Sequence, residues 1–158
     1  MKQAKWKSYA FWIVLSLVVG TLSGFLSRSG IELYGQTVTQ PTLSPPAVLF
    51  PVVWSVLYIF MGISAARIYL SELSELRSKG LNLFLIQLAV NFFWSLIFFN
   101  LQSFALAFLW LLLLWGLVVW MILTFRQIDP PAALLQLPYL VWLTFAAYLS
   151  AGVWYLNG

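Results

Sequence analysis

The sequence predicts an all-α integral membrane protein, a bundle of five transmembrane helices in one domain spanning residues 1–158. Three observations carry this expectation. The chain is 63% hydrophobic and only 8% charged, far from the balance of a soluble domain. Apolar segments occupy about 6–26, 45–70, 81–100, 104–125 and 131–156, and each reaches the roughly 20 residues a helix needs to cross a bilayer. Finally, lysine and arginine gather on alternate sides of these segments, as membrane topology demands.

The first span follows a basic leader with Lys2, Lys5 and Lys7. Its apolar stretch is too long for a cleaved signal peptide, and no small-residue cleavage site follows, so it is expected to stay attached. Within it, Ser16, Gly20 and Gly24 are spaced by four. That spacing lets helices approach closely, either inside the bundle, the preferred reading, or across a homodimer. The connection 28–44 is the longest and reads as an ordered lid or as a plain linker. Ser44-Pro45-Pro46 and Asp129-Pro130-Pro131 each place a capping side chain ahead of prolines, predicting starts for the second and fifth spans. Pro51 and Pro138 lie inside those spans and are expected to kink them. The third and fourth spans are joined by little more than Leu101-Gln102-Ser103 and should be antiparallel neighbours. The fourth, with its Leu111–Leu114 run and no amide or charge in its interior, should face lipid and other helices.

With the N-terminus inside, the inner side holds Lys2, Lys5, Lys7, Arg67, Arg77, Lys79 and Arg126, and the outer side only Arg28. The N-terminus is therefore expected in the cytoplasm, and the C-terminus and long loop outside, in a bacterial plasma membrane. Arg67, near the end of the second span, is expected to snorkel to the interface.

Composition excludes much. The net charge of +4 forms no stripe, so nucleic acid is not an expected partner; the lipid bilayer is. There is no cysteine for disulfides or thiolate metal sites, and no histidine to ligate metal or shuttle protons. No metal site and no covalently held cofactor is expected. The four carboxylates, Glu32, Glu72, Glu75 and Asp129, fall in loops or at segment ends. Ion-coupled transport usually needs ionisable groups within the spans. No nucleophile–base set or phosphate loop appears, so conventional enzyme activity is not expected.

The aromatic residues are the positive signal. The chain has nine tryptophans. Trp54, Trp94, Trp115 and Trp142 sit about ten or more residues inside apolar segments, roughly 15 Å from an end, rather than in interfacial belts. A tryptophan there either packs inside the bundle or lines a cavity. Phe50, Trp54 and Tyr58 share one stripe of the second span, and Trp142, Ala146 and Ser150 one stripe of the fifth. Gln87, Asn91, Trp94 and Phe98 share a face of the third. Two amides in hydrocarbon require partners, so this face should look inward. They either bond between helices or hold the polar edge of a ligand. Together these stripes predict a pocket between the second, third and fifth spans.

Three blocks, PTLSPPAVLFPVVWSVLYIFMG at 41–62, QLAVNFFWSLIFF at 87–99 and LPYLVWLTFAAYLSAGVWYLN at 137–157, carry a resemblance that covers nearly the whole chain. They are similar to the translocator protein family, also called tryptophan-rich sensory or peripheral benzodiazepine receptor proteins. The resemblance implies a five-helix bundle, often dimeric, that binds porphyrins such as protoporphyrin IX, haem and other flat lipophiles beneath its first loop. It implies pocket roles for Trp54, Trp142 and Asn91, a loop contact from Tyr34, and a small residue beside the ligand at Ala146. It also implies links to tetrapyrrole handling and stress responses, and in some members light-dependent porphyrin breakdown. Such breakdown, with Trp54 and Trp142 taking part, is one alternative activity; facilitated passage of a lipophile, which the lack of internal charge leaves open, is another. The chain departs from the family where Leu43 replaces a tryptophan, where Pro51-Val52 replaces a glycine–proline pair, and where Ser150 replaces an asparagine. Tyr155 stands where the cholesterol pattern needs a basic residue, and cholesterol binding is not carried over.

Overall fold

The computed structural model describes residues 2–158; the side chains of residues 2–4, the expected inner-side Lys2 among them, lie outside what is described. Its elements are α1 (Lys2–Leu26), α2 (Arg28–Thr37), α3 (Leu49–Tyr69), α4 (Glu75–Ser95), α5 (Phe104–Ile128), α6 (Pro130–Leu135) and α7 (Leu137–Asn157). A π-helical turn, Leu96–Asn100, prolongs α4. Among the described residues there is no strand. Five stretches of the described residues are long and apolar enough to cross a membrane: Lys5–Leu26, Leu49–Tyr69, Glu75–Asn100, Phe104–Ile128 and Pro130–Asn157.

The five spans stand where the hydropathy placed them, but three boundaries differ for physical reasons. The second helix begins at Leu49 and not at Pro45; Ser44 donates to the carbonyl of Pro41 (2.7 Å) in a turn instead of capping a helix. Pro51 consequently falls in the first turn of α3, where no intrahelical donor is lost and no kink is needed. The third helix starts at Glu75, six residues before its apolar run. The Ser74 hydroxyl accepts from the Arg77 amide (3.0 Å), and a good cap extends a helix through polar sequence. The fifth span is two helices. Pro130 opens α6, Gln136 interrupts, and Pro138 sits at the start of α7, where its missing N–H is harmless.

Glycine sets the closest helix approach. A Cβ on Gly62 of α3 would run into the backbone of Ile13, and one on Gly20 of α1 into the Tyr58 ring. The small-residue face of α1 therefore packs within the bundle. Of Ser16, Gly20 and Gly24, Ser16 is buried and Gly20 meets Tyr58, while Gly24 has open space beyond it, and buried Ser23 takes its place on the contact face. Ser23 donates to the Phe92 carbonyl (2.8 Å), tying α1 to α4. The fourth span packs through Ala107, Leu111, Leu114, Val118, Met121 and Phe125, all buried and spaced by threes and fours. Through them α5 contacts α4, α6 and α7.

The mid-span tryptophans are explained in part by their indole N–H groups, which must be satisfied inside hydrocarbon. Trp94 donates to the Ala107 carbonyl (3.2 Å) and Trp110 to the Val90 carbonyl (2.8 Å), both stapling α4 to α5. Trp115 neither packs in the interior nor lines a cavity: it is exposed, its N–H held by Thr144 Oγ1 (3.0 Å) on α7.

At the basic end Arg67 does not simply snorkel. Its guanidinium holds Asp129 through both oxygens, Nε–Oδ2 at 2.6 Å and Nη2–Oδ1 at 3.2 Å. Asp129, expected to cap, spends its carboxylate on this pair instead and makes no side-chain cap. With Ser64 donating to the Ala132 carbonyl (2.7 Å), α3 is fastened to α6.

A Gly62→Val change should overpack the α1–α3 contact and lower stability by about 1–3 kcal/mol, seen as an earlier melt in detergent micelles. Gly24→Val, facing open space, should leave the melt near wild type.

Candidate functional site: an aromatic wall beneath a strap

The connection read as one loop, 28–44, is half helix. Residues 28–37 form α2 despite two glycines and poor propensity. Tertiary contact overrides propensity there. A Cβ on Gly30 would collide with the Phe99 carbonyl and the Asn100 side chain, so glycine lets α2 lie on the π-helical turn. Asn100 in turn donates to the Leu26 carbonyl (2.8 Å), closing the corner between α1 and α2.

The remainder, residues 38–48, is a strap laid along α7. Thr39 and Asn157 exchange two hydrogen bonds: the Thr39 amide to Oδ1 (3.0 Å), and Nδ2 to the Thr39 carbonyl (2.8 Å). Pro41 fills the space beside Gly152, where a Cβ would strike its ring. Tyr148 donates its hydroxyl to the Thr42 carbonyl (2.7 Å). As the strap numbers rise, their partners descend α7 from 157 through 152 to 148. Leu43, next in line, adopts φ 72°, a left-handed conformation rare for a branched side chain. The strap thus replaces helix over the outer half of α7, which is why α3 begins only at Leu49.

Where the strap ends, the wall begins. Phe50 meets Trp142 edge to face (5.8 Å between centroids), and Trp54 meets Tyr58 (5.6 Å) and Tyr139 (6.1 Å). The backbones of α3 and α7 barely approach one another; α3 packs on α1, α4 and α6. Aromatic side chains therefore fill the seam between α3 and α7. Trp54, Trp142 and Ala146 are partly buried against the main core cluster.

Behind the wall runs a directed hydrogen-bond chain. Tyr58 donates to Asn91 Oδ1 (2.9 Å), Asn91 Nδ2 donates to the Tyr139 hydroxyl (2.7 Å), and Tyr139 donates to Gln87 Oε1 (2.8 Å). Of the two readings of the amides, interhelical bonding is the one the geometry displays. Gln87 Nε2 nevertheless has no protein partner, nor has the Ser150 hydroxyl, and both residues are buried.

The expected residues thus separate. Phe50, Trp54, Tyr58, Gln87, Asn91 and Trp142 converge on one seam, with Ala146 one turn above Trp142. Tyr34 and Trp94 meet in a second cluster. Tyr34 contacts Phe98 and Phe99 (5.3 Å each), and Trp94 stacks on Phe98 (4.9 Å), in an outer cluster with buried Ala107 and Val153. Burial raises the Tyr34 phenol above its ordinary pKa. Trp94 also touches the main core, bridging the two clusters. Sequence reasoning missed Tyr139, which is fully buried and links two spans; its spacing of three from Trp142 was the available signal. It also missed Tyr148, Gly152 and Asn157. Their partners lie in the strap, backbone for Tyr148 and Asn157 and the Pro41 ring for Gly152, which leaves no pattern in sequence.

Residues 12–156 match the TspO/MBR family. The chain is 43% identical to "Protein CrtK" of Rhodobacter capsulatus, covering 94% of this chain and 92% of that protein. It is 36% identical to "Tryptophan-rich protein TspO" of Chlorobaculum tepidum, covering 94% of each. It is also 34% identical to "Translocator protein" of Ovis aries, covering 84% of this chain and 79% of the sheep protein.

Two substitutions separate the roles of chain and strap. Asn91→Ala should strand the Tyr58 hydroxyl, leave Tyr139 with only its bond to Gln87, and cost about 1–3 kcal/mol in thermal or denaturant unfolding. Gly152→Val should push Pro41 away, raising amide hydrogen exchange in 38–48 while exchange in α5 stays at the wild-type level.

Proposed function

The chain belongs to the TspO/MBR family of membrane proteins, and on that premise we propose that it binds tetrapyrroles, protoporphyrin IX or haem, and similar flat lipophiles at the α3–α7 seam. The observation that carries this reading is the aromatic bridge. Phe50 and Trp142 touch across two helices whose backbones stay apart, directly beneath a strap held by side chains at the end of α7. Rotating such side chains makes room for a planar ring without separating helices already packed.

The chemistry suits the ligand class. Trp54 and Trp142 offer aromatic surface, each contact contributing about 0.5–1.5 kcal/mol beyond area burial. Small Ala146 leaves room beside Trp142. Gln87 Nε2 and the Ser150 hydroxyl are donors without protein partners, suited to a propionate or carbonyl edge. Asn91, bonded to Tyr58 and Tyr139, holds the wall and meets the polar edge of a ligand by giving up one of those bonds. Seven basic residues on one side against Arg28 on the other support a cytoplasmic N-terminus, in a bacterial plasma membrane, with the strap on the opposite side.

The test is a dark titration of protein in nanodiscs with protoporphyrin IX, following tryptophan fluorescence. Saturable quenching with a Kd in the range of about 1–10 μM, weakened about tenfold or more in a folded Trp54→Phe/Trp142→Phe double variant, is expected. Linear quenching, or identical curves for both proteins, would mean the porphyrin only dissolves in lipid and would remove the seam as its site.

A further inference from the structure

A second feature lies at the opposite, basic end of the bundle, away from the aromatic seam. A groove of about 610 Å³ opens between the first three turns of α4 and the later turns of α5. On α4 its lining includes Glu75, Lys79, Asn82 and Ile86, spaced four, three and four, so they form one stripe of the helix. Leu117 and Trp120 of α5 face it. From Glu75 to Ile86 the stripe runs about 16 Å along the axis, graded from charged to amide to aliphatic. That is the order a glycerophospholipid presents from headgroup through ester linkage to acyl chain, and the length suffices to cross the interface into hydrocarbon.

The charges are arranged for a ligand that carries both signs. A glutamate four residues before a lysine on a helix ordinarily pairs with it. Among the described residues, however, the one ion pair is Arg67–Asp129. The Lys79 ammonium instead lies over the Trp120 ring, 5.2 Å from its centroid. Glu75 and Lys79 are thereby left side by side in the groove, the carboxylate one turn nearer the end of the bundle. An anionic headgroup would meet the carboxylate as well as the ammonium.

We propose that this groove is a binding site for a zwitterionic phospholipid with a primary-amine headgroup, its phosphate on Lys79 and Asn82 and its ammonium on Glu75. In such a lipid the amine lies outside the phosphate, matching the order of Glu75 and Lys79 along α4. A primary ammonium donates charge-assisted hydrogen bonds to a carboxylate, which a trimethylated one cannot. The acyl chain follows Ile86 and Leu117, with Trp120 at the depth where indole rings prefer to sit.

Full-length protein in detergent would be mixed with phosphatidylethanolamine, phosphatidylcholine or phosphatidylglycerol of identical acyl chains, and bound lipid followed by native mass spectrometry. Wild type should retain the ethanolamine lipid about fivefold better than the glycerol lipid, the factor one partly exposed charge pair supplies, with choline between them. Lys79→Gln should lower ethanolamine retention by a similar factor. Glu75→Gln should erase the preference of ethanolamine over choline. Equal retention of all three lipids by wild type would overturn the proposal, and that comparison requires no variant to fold. A Lys79→Gln protein that melts and retains lipid like wild type would overturn it as well.

Discussion

The aromatic seam depends on the need to satisfy polar groups where no water can do so. The directed chain Tyr58–Asn91–Tyr139–Gln87 meets that need with side chains of α3, α4 and α7. Each hydroxyl and amide in it would be costly alone in hydrocarbon, and together they specify which faces of three helices must meet. The chain holds Tyr58 and Tyr139 in fixed positions, and Trp54 packs on both. The aromatic wall is therefore a consequence of hydrogen bonding behind it as much as of apolar contact.

The same constraint shapes the strap. An extended segment beside a helix has unpaired backbone groups, and here α7 side chains supply partners: Asn157 for both polar groups of Thr39, Tyr148 for the Thr42 carbonyl. A handful of such bonds holds a segment less firmly than a helix packed along its whole length. The strap is accordingly the part of the outer surface best suited to move, while Gly62 and Gly20 lock α1 to α3 on the far side. The rigid α1–α3 contact and the yielding strap thus have separate causes, close glycine packing in one and side-chain-to-backbone bonds in the other.

The two ends of the molecule differ in kind. The strap end is aromatic and neutral apart from Arg28 and Glu32. The basic end is braced by the Arg67–Asp129 pair and carries the graded groove between α4 and α5. A flat lipophile entering from the bilayer and a lipid headgroup resting at the interface would use different chemistry at different depths. Neither need disturb the other, because the core stripe of α5 from Ala107 to Phe125 runs between them, buried throughout.

The amino-acid sequence by itself determined the five spans, the antiparallel link at 101–103, the inward face of Gln87 and Asn91, and the aromatic stripes of α3 and α7. These are properties of hydropathy and period, which local chemistry alone sets. Tertiary structure decided what those stripes meet. It turned 28–37 into a helix because Gly30 fits the Phe99 carbonyl, and delayed α3 to Leu49 because α7 already held the strap. It also drew Asp129 away from capping because Arg67 lay opposite. It placed Trp115 on the lipid side, sent Tyr34 and Trp94 to a different cluster from Trp54 and Trp142, and made Tyr139 the link between Asn91 and Gln87. Apart from the spacing of Tyr139 from Trp142, none of these leaves a sequence period, since each depends on a contact between residues far apart in the chain.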